Sequence, residues 1–553
     1  MKNRLALVPA ALLFAGSFAF AQALATANDP LAPTRDTKSA VEIDREWQQS
    51  VAKYDTERNR LLAEADRQAN DGPYRPDWAT LMKYRQPQWY KDAKFGIFIH
   101  WGVYSVPAAE NEWYPRNIYQ PSQGAYKNFQ EHFASKDPAQ KDALGYKDLI
   151  PKFRAEHFDA AAWAALFKDS GAQYVVPVAE HHDGFSMYDS GLSDWTVVKM
   201  GPKRDTLGEL AAAIRAQGLH FGLSSHRAEH NFFFDGGRAI RSDVNDPRYA
   251  SLYGPAHQWF AAPGDAHGLD DDWTFVSDAW TRDWLARATE LVEKYKPEVV
   301  YFDWWIGQPN FRRSVTEFTA FYYNYAAAHG YTGVIDFKDY SLNWKAGVRD
   351  FERGQQDHII ADHWQTDTSI SNASWGYIEH DTFKSPEFLV RQLVDIVSKN
   401  GNLLLNFGPR SDGTIPDEVR SILLEMGGWL KVNGEAIYDT TPWTTFGEGP
   451  TQVKAGAFHD TDTKPYTPQD FRFTAKGATV YAIGMACPTD GKATIYSLGW
   501  AHEGKALPIA NVELLGSTGK ATWTQRADAL EVTLPTGAAC KYAYALKLTP
   551  AAK

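Results

Sequence analysis

Between about residues 76 and 440, short apolar, β-branched runs recur at wide intervals: KFGIFIHW, QYVVPVAEHH, LHFGLSSH, EVVYFDWW, GVIDFK and NLLLNFGP. Each is short and rich in β-formers, which predicts buried strands rather than helices. Between them lie amphipathic stretches such as DAAAWAALFKDSG, DTLGELAAAIRAQG and TRDWLARATELVEKYKP, each closed by a Gly or Pro stop signal. Strands alternating with crossover helices predict a parallel α/β sheet. Past residue 445 the rhythm changes to period-two strands with turn residues, as in DFRFTAKGATVYAIGMA, KATIYSLGW and ALEVTLPTG, which predicts a small β-sandwich over 445–553. Residues 22–75 open with a small-residue tail and continue as SAVEIDREWQQSVAKYDTERNRLLAEADRQA. Apolar residues are sparse there, so a linker and an exposed helix are expected.

Polar residues stand at the carboxyl end of nearly every predicted strand: His100, Glu180 to Asp183, His226, Asp303, Asp336 and Lys338. That rim is where a (β/α)8 barrel places its chemistry. A doubly wound sheet would more often carry a glycine-rich phosphate loop, and none follows the first strand. The predicted class is therefore α/β: a (β/α)8-type barrel over 76–440 followed by the β-sandwich.

At 553 residues the chain exceeds what one core organises, in keeping with that division. Residues 1–21 place Lys2 and Arg4 before an apolar stretch ending in Ala19-Phe20-Ala21, the pattern of a cleaved leader, so export to the periplasm or beyond is expected. No later stretch is long and uncharged enough to span a bilayer. The formal charge is −11 and becomes more negative once the leader is gone, so neither nucleic acid nor an anionic membrane is an expected partner. Only Cys487 and Cys540 are present; an oxidising compartment permits a bridge between them, and they cannot frame a metal site. Aromatics reach 14%, with 20 Trp and 27 Tyr, which fits either a large aromatic core or a site whose rings stack on sugars.

Four segments carry candidate chemistry. In VVYFDWW, Asp303 follows an apolar strand directly and sits among Tyr301, Trp304 and Trp305. HWGVYSVPAAENEWYPRNIY sets His100 at a strand end with Glu112 and Trp113 in the loop above. AEHHDGFSMYDS places His181, His182 and Asp183 in succession, and alternating strand directions forbid all three from pointing inward. Without HExxH or a convergent fourth ligand, hydrogen bonding to hydroxyls is a better reading of the histidines than zinc. DFERGQQDHIIADHW supplies Asp350, Glu352, Asp357 and Asp362, and a second carboxylate is what glycoside cleavage requires.

Taken together, KFGIFIHWGVYSVPAAENEWYPRNIY, AEHHDGFSMYDS, YKPEVVYFDWW, the stretch 364–377 and NGNLLLNFGPRSDGTIP resemble the α-L-fucosidases of glycoside hydrolase family 29. The resemblance spans 76–440 in order, and the β-rich tail is similar to that family's second domain. It implies a retaining, exo-acting enzyme that takes terminal α-L-fucose from a fucosylated oligosaccharide or glycoconjugate and uses no cofactor or metal. By the same resemblance Asp303 is the nucleophile. His100, Glu112, Trp113, His181 and His182 hold the sugar hydroxyls, and Tyr301 and Trp375 line the pocket. The chain departs from the family at GLSSHRAEHNFF, where relatives carry a tyrosine-rich motif and where His226 can take over a role. It departs again at IDFKDY, where Lys338 replaces a frequent arginine without its bidentate geometry. Glu352 is preferred as acid/base over Asp350 and Glu379. A related retaining glycosidase, a non-catalytic fucose-binding protein and a metallohydrolase built on His181 and His182 are the alternatives. Oligomeric state and linkage preference are open at this point.

Overall fold

Eight parallel strands close into a barrel: β1 (Phe95–Ile99), β2 (Tyr174–Glu180), β3 (His220–Ser225), β4 (Val299–Phe302), β5 (Val334–Lys338), β6 (Val348–Asp350), β7 (Trp364–Ser369) and β8 (Gly401–Phe407). Closure is made by β8 against β1, with Phe95 opposite Leu403 and Ile99 opposite Phe407. The computed structural model describes residues 29–137, 140–260, 269, 272–501, 507–535 and 540–551; the expected leader lies outside the described residues. No described helix is long and apolar enough to cross a membrane.

The six apolar runs of the sequence are β1 to β5 and β8. The other two strands, β6 and β7, lie in or beside the polar stretch from Asp350 onward, where the apolar pattern marks no strand. Gln365 and Asp367 share the inward face of β7, where hydrophobic patterning finds nothing. Helices outside the barrel start on side-chain caps: Asp159, Asp205, Ser277 and Ser385 each accept from the backbone N–H three residues on, satisfying a donor that the first turn leaves open.

The N-terminal helical segment is exposed over most of its surface and packs one narrow face on the barrel wall. Helix Asp55–Asp71 lies against helices Asp278–Tyr295 and Arg312–Ala328 and buries Leu61, Ala65 and Ala69, one face at four-residue spacing. Alanines on that face let the helices approach closely while contributing little to a hydrophobic pattern. Ahead of it, Trp47 meets Trp280 at 4.9 Å between ring centroids. Arg58 Nε reaches Asp283 Oδ1 at 3.0 Å, tying the segment to the barrel wall.

The C-terminal domain has a five-stranded antiparallel sheet, ordered β13-β16-β11-β10-β9, and a three-stranded one, β12-β15-β14. The strands are β9 (Thr441–Glu448), β10 (Phe471–Lys476), β11 (Thr479–Gly484), β12 (Lys492–Ile495), β13 (Ile509–Leu514), β14 (Thr522–Gln525), β15 (Leu530–Thr533) and β16 (Tyr544–Pro550). Phe471, Phe473, Leu498, Leu530 and Leu546 fill the space between them. Cys487 and Cys540 are joined in a disulfide.

A buried charge cluster fastens this domain to the barrel. Asp395, in helix Pro386–Ser398, receives Lys399 Nζ and Arg472 Nε, each at 2.6 Å, and Arg472 comes from β10. Removing one member leaves uncompensated charge in a dry interface. Asp395→Ala is expected to cost about 3–5 kcal/mol in chemical denaturation; a loss below about 1 kcal/mol would show that the cluster is solvated rather than buried.

Candidate active site

The chemistry-bearing side chains meet at the carboxyl ends of the strands around a cavity of about 130 Å³. Its lining includes Phe98, His100, Glu112, Trp113, His181, His182 and His226. Trp259, Asp303, Trp304, Lys338, Glu352, Asp367 and Trp375 complete it.

Asp303 leaves the end of β4 and is 5% exposed. Its Oδ2 contacts His182 Nε2 and His226 Nδ1, each at 2.9 Å. Its Oδ1 accepts from the Trp304 backbone N–H at 3.0 Å and pairs with Lys338 Nζ at 3.0 Å. Burial on its own would raise the pKa of this carboxyl, but Lys338, His226 and His182 outweigh burial and hold it well below the usual carboxylate range. Asp303 is thus an anion fixed by four donors. His226 Nε2 lies 3.1 Å from Ser224 Oγ, which completes the tautomer that donates from Nδ1 to Asp303.

Lys338 is the last residue of β5, with Asp336 two residues behind it on the same inward face. Its Nζ lies 2.6 Å from Glu352 Oε2, 3.0 Å from Asp303 Oδ1 and 3.8 Å from Asp367 Oδ2. Burial disfavours its charge, yet the surrounding carboxylates, Asp303 foremost, push its pKa well above the ordinary lysine value. One ammonium therefore stands among three of the carboxyl groups of the cavity, those of Asp303, Glu352 and Asp367.

The histidines opposite are neutral. Burial, reinforced by neighbouring imidazoles, takes His100 and His181 well below the usual histidine pKa. Burial likewise brings His182 down to about 4 despite its bond to Asp303. His100 Nδ1 is fixed at 2.8 Å from Asn406 Oδ1. The Nδ1 atoms of His181 and His182 are buried and have no hydrogen-bond partner among the described residues. Glu112 Oε2 accepts from the Trp375 backbone N–H at 2.9 Å, joining the loop after β1 to the loop after β7. Trp375 carries Lys338 and Arg353 against its ring at 5.8 and 4.9 Å.

Two supports hold these strand ends. Glu180, Arg227, Asp283 and Arg287 form a buried network, with Arg227 bridging Glu180 at 3.0 Å and Asp283 at 3.1 Å. Glu180 precedes His181 and Arg227 follows His226, so the network anchors both histidine-bearing ends. The second support comes from the segment that leads into β10. Phe458 N–H donates to Glu352 O at 2.8 Å, and His459 and Asp460 N–H donate to Arg353 O at 3.0 and 2.8 Å. Asp460 is itself held by Lys384 Nζ and Thr368 Oγ1, both at 2.6 Å. The loop bearing Glu352 is therefore clamped from the C-terminal side.

Asp303, Glu352, His100, Glu112, Trp113, His181, His182, His226, Lys338 and Trp375 all line the cavity. Tyr301 does not. It is fully buried beside the cavity, where its hydroxyl donates to Asp367 Oδ2 at 2.9 Å and its ring lies 4.9 Å from Phe98. Asp183 turns away, as alternation required, and accepts the Phe185 N–H. Of the alternatives to Glu352, Asp350 is interior and accepts from Gln365 Nε2 at 2.8 Å, while Glu379 is solvent-exposed; neither lines the cavity.

Sequence reasoning missed Asp367, Phe98, Trp259 and Glu229. Asp367 was visible as the polar alternation Gln365, Asp367, Ser369; nothing local marks Trp259. Glu229 is fully buried and accepts the Trp305 N–H at 2.9 Å; burial and then the charge of Asp303 raise its pKa well above the usual range, so it is a neutral acid. His100, His181 and His226, or His182, His226 and Asp303, converge closely enough to hold a cation. Both sets include His226, whose two ring nitrogens are already hydrogen-bonded to Asp303 and Ser224.

Residues 61–435 match the family described as Alpha-L-fucosidase, and residues 464–549 match the Alpha-L-fucosidase C-terminal domain. Over 472 residues the chain is 32% identical to the tissue alpha-L-fucosidase of Rattus norvegicus, spanning 84% of this chain and 88% of that protein. Over 498 residues it is 33% identical to the plasma alpha-L-fucosidase of Homo sapiens, spanning 86% and 92%. The crystal structure of Thermotoga maritima alpha-fucosidase in complex with fucose aligns at a TM-score of 0.67 and 28% identity, covering 86% of this chain and 100% of that one.

The electrostatics of the cavity predict a direction for Lys338→Met. Without the ammonium, the pKa of Asp303 rises, so the carboxylate is lost at a higher pH than in the native protein. The acid limb of the pH–activity profile should move up by about 1–3 pH units. An unmoved acid limb in a folded variant would mean that Lys338 does not control Asp303.

Proposed function

The chain belongs to the α-L-fucosidase family of glycoside hydrolases, and from that premise we propose that it releases terminal α-L-fucose with retention of configuration, Asp303 attacking the anomeric carbon and Glu352 serving as acid and then base. The observation that carries this reading is the lysine bridge. Lys338 Nζ lies 3.0 Å from Asp303 Oδ1 and 2.6 Å from Glu352 Oε2. The two oxygens are no farther apart than those contacts laid end to end. That upper bound falls short of the roughly 6.5–9.5 Å that an inverting pair leaves for water and is compatible with the about 5–5.5 Å of a retaining pair.

The bridge also suits the charge movement of a double displacement. Before reaction the ammonium is balanced by the Asp303 carboxylate, and Glu352 carries the proton. Asp303 then forms the glycosyl ester and the departing oxygen takes the Glu352 proton. The counter-charge of Lys338 passes from Asp303 to Glu352 with no net change in the cavity. Glu352, now a carboxylate, removes a proton from the incoming water in the second step.

The cavity, at about 130 Å³, is below the roughly 300–1,000 Å³ of pockets for drug-sized ligands, which supports a single sugar ring and an exo-acting enzyme. His100, His181, His182, Glu112 and Trp113 supply polar groups for hydroxyls, and Phe98 and Trp304 supply an apolar surface for a 6-deoxy methyl. A fucosylated oligosaccharide or glycoconjugate is the corresponding substrate. We also read the chain as exported, on the leader pattern and on the Cys487–Cys540 disulfide, which an oxidising compartment sustains.

Asp303→Gly is expected to lower turnover of an aryl α-L-fucoside by about 10⁴-fold or more. Azide should restore activity and yield the β-fucosyl azide, because a single displacement inverts C1. The native enzyme should release α-fucose first by NMR; β-fucose as the first product, or native turnover by Asp303→Gly, overturns the nucleophile assignment. Glu352→Gln should cost about 10²–10⁴-fold on an oligosaccharide, whose poor leaving group needs the proton. The glycosylation step with a nitrophenyl leaving group should suffer much less. Equal losses on both substrates, with an unchanged basic limb of the pH profile, would remove Glu352 from the acid role.

A further inference from the structure

A second cavity, about 620 Å³, opens at the opposite end of the barrel. Lys94, Gly347, His363 and Asn400 line it, and these residues immediately precede β1, β6, β7 and β8. The cavity is therefore separated from the carboxylate site by the length of the strands. Nothing in the proposed hydrolysis uses it.

Lys94 is the unusual residue there. It is 1% exposed, and its ammonium has neither a hydrogen-bond nor an ion-pair partner among the described residues. Its backbone also sits at φ 59°, ψ −32°, in the left-handed region that a residue with a long side chain seldom adopts. Strain, desolvation and an unpaired charge coincide at one position facing a cavity. The rim adds Arg85, Lys91 and Lys345, none with a carboxylate partner among the described residues, against the acids Asp92 and Asp362. Asp92 Oδ1 is engaged by Gln88 Nε2 at 2.8 Å. This cationic excess belongs to a protein whose formal charge is −11.

We propose that this cavity is an oxyanion-binding site, with Lys94 at its base and Lys91, Arg85 and Lys345 at its rim, taking a sulfate or phosphate group either as the free ion or as an ester on a sugar. An oxyanion supplies what each feature lacks: acceptors for the buried ammonium and counter-charge for the rim. Trp344 in the wall and a volume within the range of small-molecule pockets leave room for an attached ring.

Charge on Lys94 sets the pH dependence. Burial lowers its pKa to about 8; Asp92 and Asp439 favour the charged form and Lys91 opposes it. His363 is neutral, its pKa brought down to about 3 by burial and by Lys94 itself. The ammonium is present below pH 8 and is lost as the pH rises through that value. Sulfate keeps its charge over this range, so its binding should follow Lys94.

The test is thermal unfolding of the full chain in millimolar sodium sulfate against sodium chloride of equal ionic strength. At pH 6.5 sulfate should raise Tm by about 1 °C or more, an increment that grows with concentration as specific binding requires. The increment should vanish at pH 9.5 and in Lys94→Met. Fucoside hydrolysis reports that the variant is folded, since Lys94 is remote from that site. Glucose 6-sulfate separates the sources: an effect at tenfold lower concentration than the free ion assigns the site to a sulfated glycan, and an equal or weaker one to the free oxyanion. No increment over chloride with either ligand, an equal increment in Lys94→Met, or an increment unchanged at pH 9.5 would overturn the proposal.

Discussion

The interior of this barrel depends on one buried cation. On the inward faces of β1, β2 and β4 it is packed with Phe98, Tyr174, Val176, Val178, Val299 and Tyr301. On β5 to β7 the same layers hold Asp336, Lys338, Asp350, Gln365 and Asp367. Carboxyl groups this close and this dry cannot all ionise. Burial lifts Asp336 to about 8, and burial reinforced by Asp367 lifts Asp350 well above the usual range, so both are neutral acids at pH 7. Asp303, Glu352 and Asp367 share Lys338. Two carboxyls are thus silenced by protonation, while Asp303 and Glu352 lie against the ammonium.

That division explains what was legible in the sequence. β1 to β5 and β8 announce themselves because at least one face of each is a run of branched or aromatic residues. β6 and β7 are strands for a different reason: their inward residues satisfy one another, Gln365 reaching Asp350 at 2.8 Å while Tyr90 and Tyr174 reach Gln365 at 2.8 and 2.7 Å. A strand made stable by a polar network leaves no hydrophobic signature. Asp367 and Glu229 escaped for the same reason, since their significance lies in long-range partners. Asp303, His181, His182 and Lys338 were readable because each terminates or directly follows an apolar strand, and the rim of a barrel has water or ligand on one side. The helix Asp55–Asp71 is exposed as its polar composition predicts, and its contact face is faint in the sequence because alanine buries backbone and methyl surface without raising hydrophobicity.

The C-terminal domain contributes to the site without entering it. Backbone donors of Phe458, His459 and Asp460 close on the carbonyls of Glu352 and Arg353, and Asp460 reaches back through Lys384 and Thr368 to the strand that carries Asp367. The loop after β6 is short of apolar anchors of its own, and Arg353 sits at φ 44°. Such a loop holds one conformation only where its surroundings over-determine it. The β-sheet domain, fastened through Arg472 and Asp395, provides that constraint.

The two ends of the barrel solve opposite electrostatic problems with the same side chain. At the carboxyl end Lys338 has more anionic neighbours than one ammonium can neutralise. Its charge is therefore secure, and in the reaction proposed above such an ammonium can balance either of two carboxylates as negative charge passes between them. At the amino end Lys94 has no neighbour close enough to pair with, and its charge is insecure by the same reasoning. A buried ammonium responds to the anions within a few ångströms and hardly at all to a net charge spread over the surface. An acidic chain can therefore hold a lysine starved of anions at one end of a barrel and one surrounded by them at the other, and the two ends can recognise different things.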